Sequence, residues 1–285
     1  MPPIVVGQLT LIDLLLMLAP VVVVPLGFWL APLTAPHAIV VLKIARYTQP
    51  IGALCAVVSF LVPIGGTAAL LASAWLAVCV IASLAGLFEI VESRSLHPIH
   101  LLPAAALGVL SVAAAWLVAF RSGNDFGYSP TITELTAVHF HYAGFAAVMM
   151  SALVLNALTG APVWTRRVAA GAGLLVVFGT PTTATGVATG IVALTVVGPL
   201  VLATGILTMS ALTAFVVAPR MRSRARWLLT LSAAGVVIPM FLGVDYAAAR
   251  VFPLPALDLQ TMALVHGDLN ALVFALIGFI GWSLA

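Results

Sequence analysis

Residues 67–91 read TAALLASAWLAVCVIASLAGLFEIV, and Glu89 is the only charged side chain among them. A helix needs about 20 apolar residues to cross the hydrocarbon core of a bilayer, so this stretch predicts a membrane-spanning helix. The whole chain has the same character, because 63% of its residues are hydrophobic, 7% are charged, and the mean hydropathy is +1.24. Such a composition is typical of polytopic membrane proteins and excludes an ordinary soluble domain.

Breaking the apolar runs at proline, glycine and clusters of charge predicts nine spanning segments. They cover roughly residues 6–30, 39–63, 67–91, 100–120, 134–158, 166–187, 191–219, 227–247 and 257–283. We therefore predict an all-α fold, a polytopic transmembrane helix bundle that forms one integral membrane domain over residues 1–285. The first segment lacks the basic start and the cleavage site of a secretory signal, so we expect it to be retained. Around Pro63, Gly65 and Gly66, the second and third segments are joined by either a tight turn or a kink.

The basic residues alternate between the connections. They are concentrated at the odd-numbered ones, namely Lys43, Arg46, Arg94, Arg166, Arg167, Arg220, Arg222, Arg224 and Arg226. The even-numbered connections hold only Arg121 and Arg250, which we expect to be solvated. The positive-inside rule then predicts an outer N-terminus and a cytoplasmic C-terminus, in a cytoplasmic membrane. Because the arginines lie between apolar segments, the pI of about 9.2 reflects topology and predicts no nucleic-acid partner.

The fifth predicted segment contains ionisable residues at unusual depth. Residues 133–145 read TELTAVHFHYAGF, with Glu134 at the outer start of the segment. A rise of about 1.5 Å per residue places His139 and His141 roughly 8 and 10 Å further inward. By the same arithmetic His266 and Asp268 lie roughly 14 to 17 Å below the outer start of the ninth segment. A charged group at the centre of a spanning helix costs about 2.5 to 3.5 kcal/mol, so we expect these side chains to face one another or a wet cavity.

Helical geometry predicts which of these groups share a face. At about 100° per residue, Glu134 and His141 lie on one face and His139 on another, while His266 shares a face with Asn270. If segments five, eight and nine are neighbours, their polar faces converge on one pocket. The predicted catalytic residues are Glu134, His139, His141, Asp245, His266 and Asp268, and the predicted substrate-binding residues are Asp13, Tyr142, Tyr246 and Asn270.

Structural explanations compete with these roles. A carboxylate at position 134 would favour the dipole of a helix that Thr131 or Thr133 caps, and the buried histidines could simply hydrogen-bond between helices. Glu89 and Glu92 form a separate feature at the inner end of the third segment, where we expect Glu92 to pair with Arg94. Cys55 and Cys79 have no metal-ligand spacing, so we predict packing roles for them and no metal site.

Two motifs resemble those of the YndJ-like family of bacterial integral membrane proteins. The first is HFHYAGF at residues 139–145, and the second is an HG-two-residues-NA pattern at His266, Gly267, Asn270 and Ala271. Val273 stands where the second family motif has a glycine. Some members of the family are labelled transporters, so the resemblance implies a helical membrane protein but little mechanism. It highlights the same histidines as their predicted depth does.

VHFHY is also similar to the helix of haem-copper oxidase catalytic subunits in which two histidines on opposite faces bind two haems. This similarity implies a haem- or metal-binding redox protein as an alternative, because imidazoles on facing helices form cofactor sites in bundles. The chain departs from that family in its number of predicted helices and in lacking a histidine pair placed for copper. Only His266 could stand opposite a ligand from HFH.

Carboxylates and imidazoles near the outer face of an apolar bundle suit general acid–base catalysis on a lipophilic small molecule. The leading hypothesis is therefore a cofactor-independent cyclase, isomerase or epoxide-opening hydrolase in the lipid bilayer. Glu134 and Asp245 are the candidate acids, and His141 and His266 are the candidate bases. The residues that orient them are His139, Asp268 and Asn270. A proton-coupled transporter would use the same residues as a relay, with an inward path toward Glu89.

Overall fold

The computed structural model describes residues 5–6 and 9–285, and this part of the chain forms nine long helices. They are α1 Leu11–Leu30, α2 Pro36–Phe60, α3 Gly66–Ser93, α4 Pro98–Ser122, α5 Pro130–Ala157, α6 Val163–Thr189, α7 Val192–Arg220, α8 Ser223–Ala248 and α9 Leu259–Ser283. All except α2 are long and apolar enough to cross a membrane. The predicted helical membrane bundle is thus confirmed, whereas the orientation of its termini stays a prediction.

The helix boundaries differ from the predicted ones mainly at the first and fifth segments. The first helix begins at Leu11 instead of residue 6, because Thr10 and Asp13 form a capping box. Just before it, Leu9–Thr10 pairs with Val5–Val6 as a two-residue antiparallel bridge. Between α2 and α3 the chain makes a turn, in which Gly65 has a φ of 147°. A residue with a side chain rarely adopts this conformation, so glycine suits the turn.

Four of the helices contain π-helical segments. In α1 and α7 these cover Ala19–Val23 and Thr213–Val217. In α5 the segment is Phe140–Ala146, and in α9 the segments are Ala263–Gly267 and Leu269–Leu276. The last three coincide with the two sequence motifs. Since π-helical turns are rare and are frequent at functional sites, both motifs lie where the backbone departs from regular α-helix.

Two prolines explain how α1 is held to its neighbours. In a π-helix each backbone N–H donates to the carbonyl five residues earlier, but Pro20 and Pro25 have no N–H. The carbonyls of Leu15 and Pro20 therefore lack this backbone donor. Side chains from other helices supply the missing donors. The Tyr142 hydroxyl donates to the Leu15 carbonyl at 2.8 Å, and the Gln49 amide donates to the Pro20 carbonyl at 2.7 Å.

The chain forms two compact units, residues 1–146 and 147–285, so that α5 contributes to both. The first unit is built on α2, α3 and α4, which follow one another as antiparallel neighbours. A Cβ added to Gly86 of α3 would lie 2.6 Å from the carbonyl oxygen of Ala104 in α4, which shows how closely these two helices approach. Trp75, Leu107 and Leu110 are completely buried between the helices of this unit.

In the second unit, α6 and α7 are packed in the same close manner. A Cβ added to Gly179 of α6 would lie 2.6 Å from the backbone nitrogen of Leu202 in α7. α8 and α9 are also neighbours, because the Ser232 hydroxyl donates to the Phe274 carbonyl at 2.7 Å. The division into two compact units does not test whether residues 1–285 form a single domain, which stays a prediction.

Candidate functional site

Three ionisable side chains meet at one end of the first unit. Asp13 comes from the first turn of α1, Arg121 from the last turn of α4 and Glu134 from the second turn of α5. Glu134 interacts electrostatically with both of the others. We call Asp13, Arg121 and Glu134 the carboxyl cluster. The sequence predicted Asp13 and Glu134 as site residues on the same side of the bundle, and the structure brings their side chains together.

Glu134 is not at the start of a helix, as it would have to be if its only role were to favour the helix dipole. α5 begins at Pro130, and its cap is Ser129, whose hydroxyl accepts a hydrogen bond from the backbone N–H of Ile132. The expectation of a cap at Thr131 or Thr133 is therefore wrong. Thr133 instead donates its hydroxyl to the carbonyl of Ser129. Glu134 is one turn inside the helix and only 7% exposed, so its burial needs a different explanation.

The two carboxyl groups of the cluster lie close enough to each other for a hydrogen bond if one of them is protonated. Ionised carboxylates only accept hydrogen bonds, so a bond between Asp13 and Glu134 requires one shared proton. Asp13 is also fixed from the other side, because its Oδ2 accepts from the Thr10 backbone N–H and hydroxyl, both at 2.8 Å. The Oε1 atom of Glu134 is buried and has no hydrogen-bond partner among the described residues. Oε1 therefore receives no donor from the described residues unless the carboxyl pair itself holds a proton.

Arg121 supplies the positive charge of the cluster. The expectation that it is solvated is wrong, because its side chain is only 5% exposed. Its guanidinium donates to the carbonyls of Ser59 and Val62, both at 2.8 Å, and lies 4.9 Å from the ring centre of Phe60. These contacts fix the guanidinium beside the carboxyl groups. With one proton on the carboxyl pair, one negative and one positive charge balance.

His141 is completely buried, and both of its ring nitrogens are occupied. Its Nε2 lies 3.1 Å from the indole nitrogen of Trp75, which can only donate, so Nε2 must accept. Its Nδ1 lies 2.8 Å from the carbonyl oxygen of Ala137, so Nδ1 must carry the proton. The imidazole is therefore the neutral Nδ1–H tautomer. In this arrangement it connects α3 to α5.

The other two polar residues of the first motif have separate surroundings. His139 is exposed, as expected for the opposite face of α5 from Glu134, and its Nδ1 donates to the carbonyl of Leu135 at 2.7 Å. Tyr142 is buried, and its hydroxyl donates to Leu15 of α1. HFHYAGF thus presents one exposed imidazole, while His141 and Tyr142 hold neighbouring helices.

The second motif lies in the second unit. His266 donates from Nδ1 to the carbonyl of Pro239 in α8 at 2.8 Å, and Asn270 donates its amide to the backbone carbonyl of His266 at 2.8 Å. Asp268 has a buried Oδ1 without a hydrogen-bond partner among the described residues. His266 and Asn270 thereby support the π-helical part of α9.

The remaining predicted site residues of this unit are near the end of α8. Asp245 is half-buried there. The Arg250 guanidinium carbon lies 5.3 Å from the ring centre of Tyr246, which is a cation–π contact. Whether these groups share a pocket with Glu134 and His141 stays a prediction.

The comparison with protein families agrees with the resemblance of the motifs. The model of the family described as YndJ-like protein matches residues 14–274. The chain belongs to the YndJ-like family. No curated protein and no solved structure matches it. Family membership covers both motifs and most of the chain, but it assigns no activity to this YndJ-like protein.

A second buried carboxylate of this YndJ-like protein has a very different environment. Glu89 is completely buried near the end of α3. Its oxygens accept from the backbone N–H groups of Thr34 and Ala35 at 3.0 and 2.9 Å, from the Thr34 hydroxyl at 2.8 Å and from His100 Nδ1 at 2.8 Å. Four donors thus surround one carboxylate, which joins the start of α2 to α4.

Glu92, one turn further along α3 than Glu89, also pairs with a histidine. It pairs with the Nδ1 of His37 and accepts the His37 backbone N–H at 3.2 Å. The expected pair of Glu92 with Arg94 is therefore wrong. Arg94 instead ends α3 in a left-handed conformation. The contacts of Glu89 and Glu92 stabilise the N-terminal end of α2, where negative charge is favourable.

The haem or metal alternative can be examined from the donor atoms. An axial histidine ligand needs an open ring nitrogen, but both nitrogens of His141 are occupied by protein groups. The described residues contain no group of three or more His, Cys, Asp or Glu side chains that could hold a metal ion. The donor set around His141 therefore does not fit a haem ligand in this arrangement.

The sequence did not reveal Arg121 and Trp75 as partners of the site residues. For Arg121 a signal existed, because it lies at the end of an apolar segment on the same predicted side as Asp13 and Glu134. For Trp75 there was none. It is 66 residues from His141, and a tryptophan in an apolar helix is normally a packing residue.

Proposed function

We propose that this protein is an integral-membrane acid–base enzyme that acts on a lipophilic small molecule in the bilayer. A cyclase, an isomerase and an epoxide-opening hydrolase are the matching reaction classes. One observation carries the proposal: Glu134 is buried beside the carboxyl group of Asp13, and its Oε1 has no hydrogen-bond donor among the described residues. Since buried polar atoms normally have partners, such an exception needs an explanation, and a role in proton transfer provides one.

Two carboxyl groups that share a proton can act as both acid and base. In the forward step the protonated member donates its proton to a carbonyl, an epoxide oxygen or an alkene carbon of the substrate. The ionised member accepts a proton from the reacting carbon or from an attacking water, so the pair regains its starting protonation state. No electron transfer is involved. The positive charge of Arg121 stabilises the transient state in which both carboxyl groups are ionised.

This assignment changes the roles predicted for the histidines. Because both nitrogens of His141 are hydrogen-bonded, we propose that it positions α5 against α3 instead of acting as the base. Tyr142 similarly positions α1, which carries Asp13. The roles predicted for His139, Asp245, His266, Asp268, Tyr246 and Asn270 remain proposals.

The proposal can be tested before the substrate is known. Membranes of a host strain that produces the wild-type protein would be extracted and compared by mass spectrometry with membranes that contain Glu134→Gln. The wild type should convert at least one lipophilic compound that the variant leaves unchanged. Asp125→Asn is the matched control, because Asp125 is a loop carboxylate that accepts from Gly127 through an oxygen that asparagine retains. Identical extracts from wild type and Glu134→Gln would contradict the proposal.

Proton-coupled transport is the second candidate, because the facing carboxyl groups of Asp13 and Glu134 belong to two helices long enough to span the membrane, α1 and α5. A relay toward Glu89 is less favoured, since its four donors stabilise the ionised form. Transport predicts uptake into proteoliposomes that depends on a pH gradient and disappears in Glu134→Gln. Chemical conversion without a gradient favours the enzyme.

A further inference from the structure

The second unit has six arginines at one end. They are Arg166, Arg167, Arg220, Arg222, Arg224 and Arg226, and all six are exposed. We call this group the arginine surface. Topology alone predicts basic loops at this end, but the surroundings of these arginines allow a more specific conclusion.

The packing of α6 and α7 explains why the arginines gather. Near their connecting turn, a Cβ added to Gly186 would touch Leu194, and further along a Cβ added to Gly205 would touch Ala172. The helices are therefore antiparallel along their length, and the start of α6 lies beside the end of α7. α8 begins directly after that end, at Ser223. Arginines distant in sequence thus belong to one surface.

No acidic side chain neutralises this surface from nearby in the chain. Residues 135–244 contain no Asp or Glu, although they include all six arginines. Both ion pairs found among the described residues belong to the first unit. The Arg226 guanidinium donates to the carbonyl of Pro219 at 3.0 Å, which leaves its charge uncompensated. The arginine surface therefore has an excess of positive charge that favours the binding of an external anion.

Two tryptophans indicate where this surface lies relative to lipid. Trp164 is 67% exposed and precedes Arg166 by two residues, and Trp227 is 72% exposed and follows Arg226 directly. Exposed tryptophans at the ends of spanning helices are typical of the level of the lipid headgroups. The phosphate groups of lipids are found at that level. A guanidinium binds phosphate through two parallel hydrogen bonds.

We propose that the arginine surface selectively binds the headgroups of anionic phospholipids. The ligand class follows from the positive charge, the guanidinium chemistry and the flanking tryptophans together. This inference is independent of the proposed catalytic role, because it uses only residues of the second unit. Loss of lipid selectivity would therefore leave the proposal for the carboxyl cluster unaffected, and the reverse also holds.

The test measures lipid selectivity of the full chain in bilayers. The protein is reconstituted in phosphatidylcholine vesicles with a trace of spin-labelled phosphatidylglycerol or, separately, spin-labelled phosphatidylcholine. Electron paramagnetic resonance then reports the fraction of label immobilised by the protein. We expect phosphatidylglycerol to be preferred. The variant Arg166→Gln, Arg167→Gln, Arg222→Gln, Arg224→Gln should lower this preference by about tenfold or more, because each basic residue near an anionic surface adds a severalfold effect.

The same four positions provide the matched control. Replacing them by lysine keeps the charge, so a headgroup site should retain most of its preference, with some loss because lysine lacks the paired donors of arginine. Arg250→Gln, at the other end of α8, should leave the preference unchanged. An equal immobilised fraction for both lipids in the wild type, or an unchanged preference in the glutamine variant, would overturn the proposal.

A salt titration of the wild type covers the case in which the glutamine variant does not fold. Raising the ionic strength from about 0.01 M to about 1 M shortens the Debye length from about 30 Å to about 3 Å. The preference for phosphatidylglycerol should then fall steadily toward that for phosphatidylcholine. A preference that is independent of salt would contradict a headgroup site formed by exposed arginines.

Discussion

Glu89 and Glu134 are both buried glutamates of the first unit, but their surroundings are opposite. Glu89 receives four hydrogen-bond donors, whereas Glu134 faces another carboxyl group and has a buried oxygen that receives no donor from the described residues. His100, which pairs with Glu89, and Arg121, which interacts electrostatically with Glu134, are about 30 Å apart along α4 by the helical rise. Burial alone therefore does not identify a functional carboxylate. The number of donors distinguishes a structural one from a candidate acid.

The largest effect is expected from removing the satisfied carboxylate. Glu89→Ala should lower the free energy of unfolding by about 3–5 kcal/mol, because several buried donors lose their acceptor. Equilibrium unfolding in mixed detergent and SDS micelles would measure this change. Glu92→Ala is the control, and it should cost less than about 1 kcal/mol because its carboxylate is partly exposed. Equal effects of the two substitutions would show that the four donors do not distinguish Glu89.

The next largest effect is expected from removing Arg121, which supplies the positive charge near Glu134. Arg121→Met should lower the free energy of unfolding by about 3 kcal/mol, because two carbonyls lose a donor and the carboxyl pair loses its cation. Adding Glu134→Gln should restore about 1 kcal/mol of this loss, as expected for coupled side chains. Arg250→Met provides an exposed control. Additive effects of Arg121→Met and Glu134→Gln would contradict direct coupling within the cluster.

A third prediction extends the comparison to the buried imidazole. Trp75→Phe keeps an aromatic ring but removes the donor to His141 Nε2, so it should lower the free energy of unfolding by about 1–3 kcal/mol. Trp116→Phe is the control, because its ring contacts with Phe126 and Tyr128 do not depend on the indole N–H. A Trp75→Phe variant as stable as the wild type would mean that His141 does not need this bond.

Glu134→Gln should have a smaller effect on stability, although the proposed function predicts that it abolishes activity. The glutamine NH2 group can donate to Asp13, and the remaining side-chain oxygen is an acceptor as before, so the free energy of unfolding should change by less than about 1 kcal/mol. The same SDS titration applies. A loss as large as that of Glu89→Ala would place Glu134 among the structural carboxylates.

The smallest effect is expected at Asp258, an exposed carboxylate that caps α9. The backbone N–H and the hydroxyl of Thr261 donate to it and lower its pKa below the ordinary value. A lowered pKa means that the capping contribution is present above about pH 4 and is lost as the pH falls through the lower folded-state value. Stability measured at pH 6 and near pH 3 should therefore differ less in Asp258→Asn than in the wild type. An identical pH response of the two proteins would contradict this capping role.

The helical layout was accessible from sequence because apolar length alone determines a spanning helix. Asp13 and Glu134 were accessible as well, since a carboxylate near the end of such a helix needs a partner. The role of His141 was not. The indole of Trp75 is distant in sequence, and spacing shows which face a histidine occupies but not whether its nitrogens are already bonded.

Two further features could not be read from spacing. The estimate of about 100° per residue assumes a regular α-helix, but residues 140–146 and most of 263–276 are π-helical. Three of the four donors to Glu89 come from a turn before α2, at Thr34 and Ala35, where no sequence pattern indicates a carboxylate site. In both cases tertiary contacts decide the local structure.

The most direct test of the account is an infrared measurement of the shared proton. Spectra of the purified protein in H₂O and D₂O at neutral pH should contain an isotope-sensitive carbonyl stretch of a protonated carboxylic acid. We predict that this band disappears in Glu134→Gln and in Asp13→Asn and persists in Asp125→Asn. A wild-type protein without the band, or a band that survives both substitutions in the pair, would contradict a proton shared between Asp13 and Glu134.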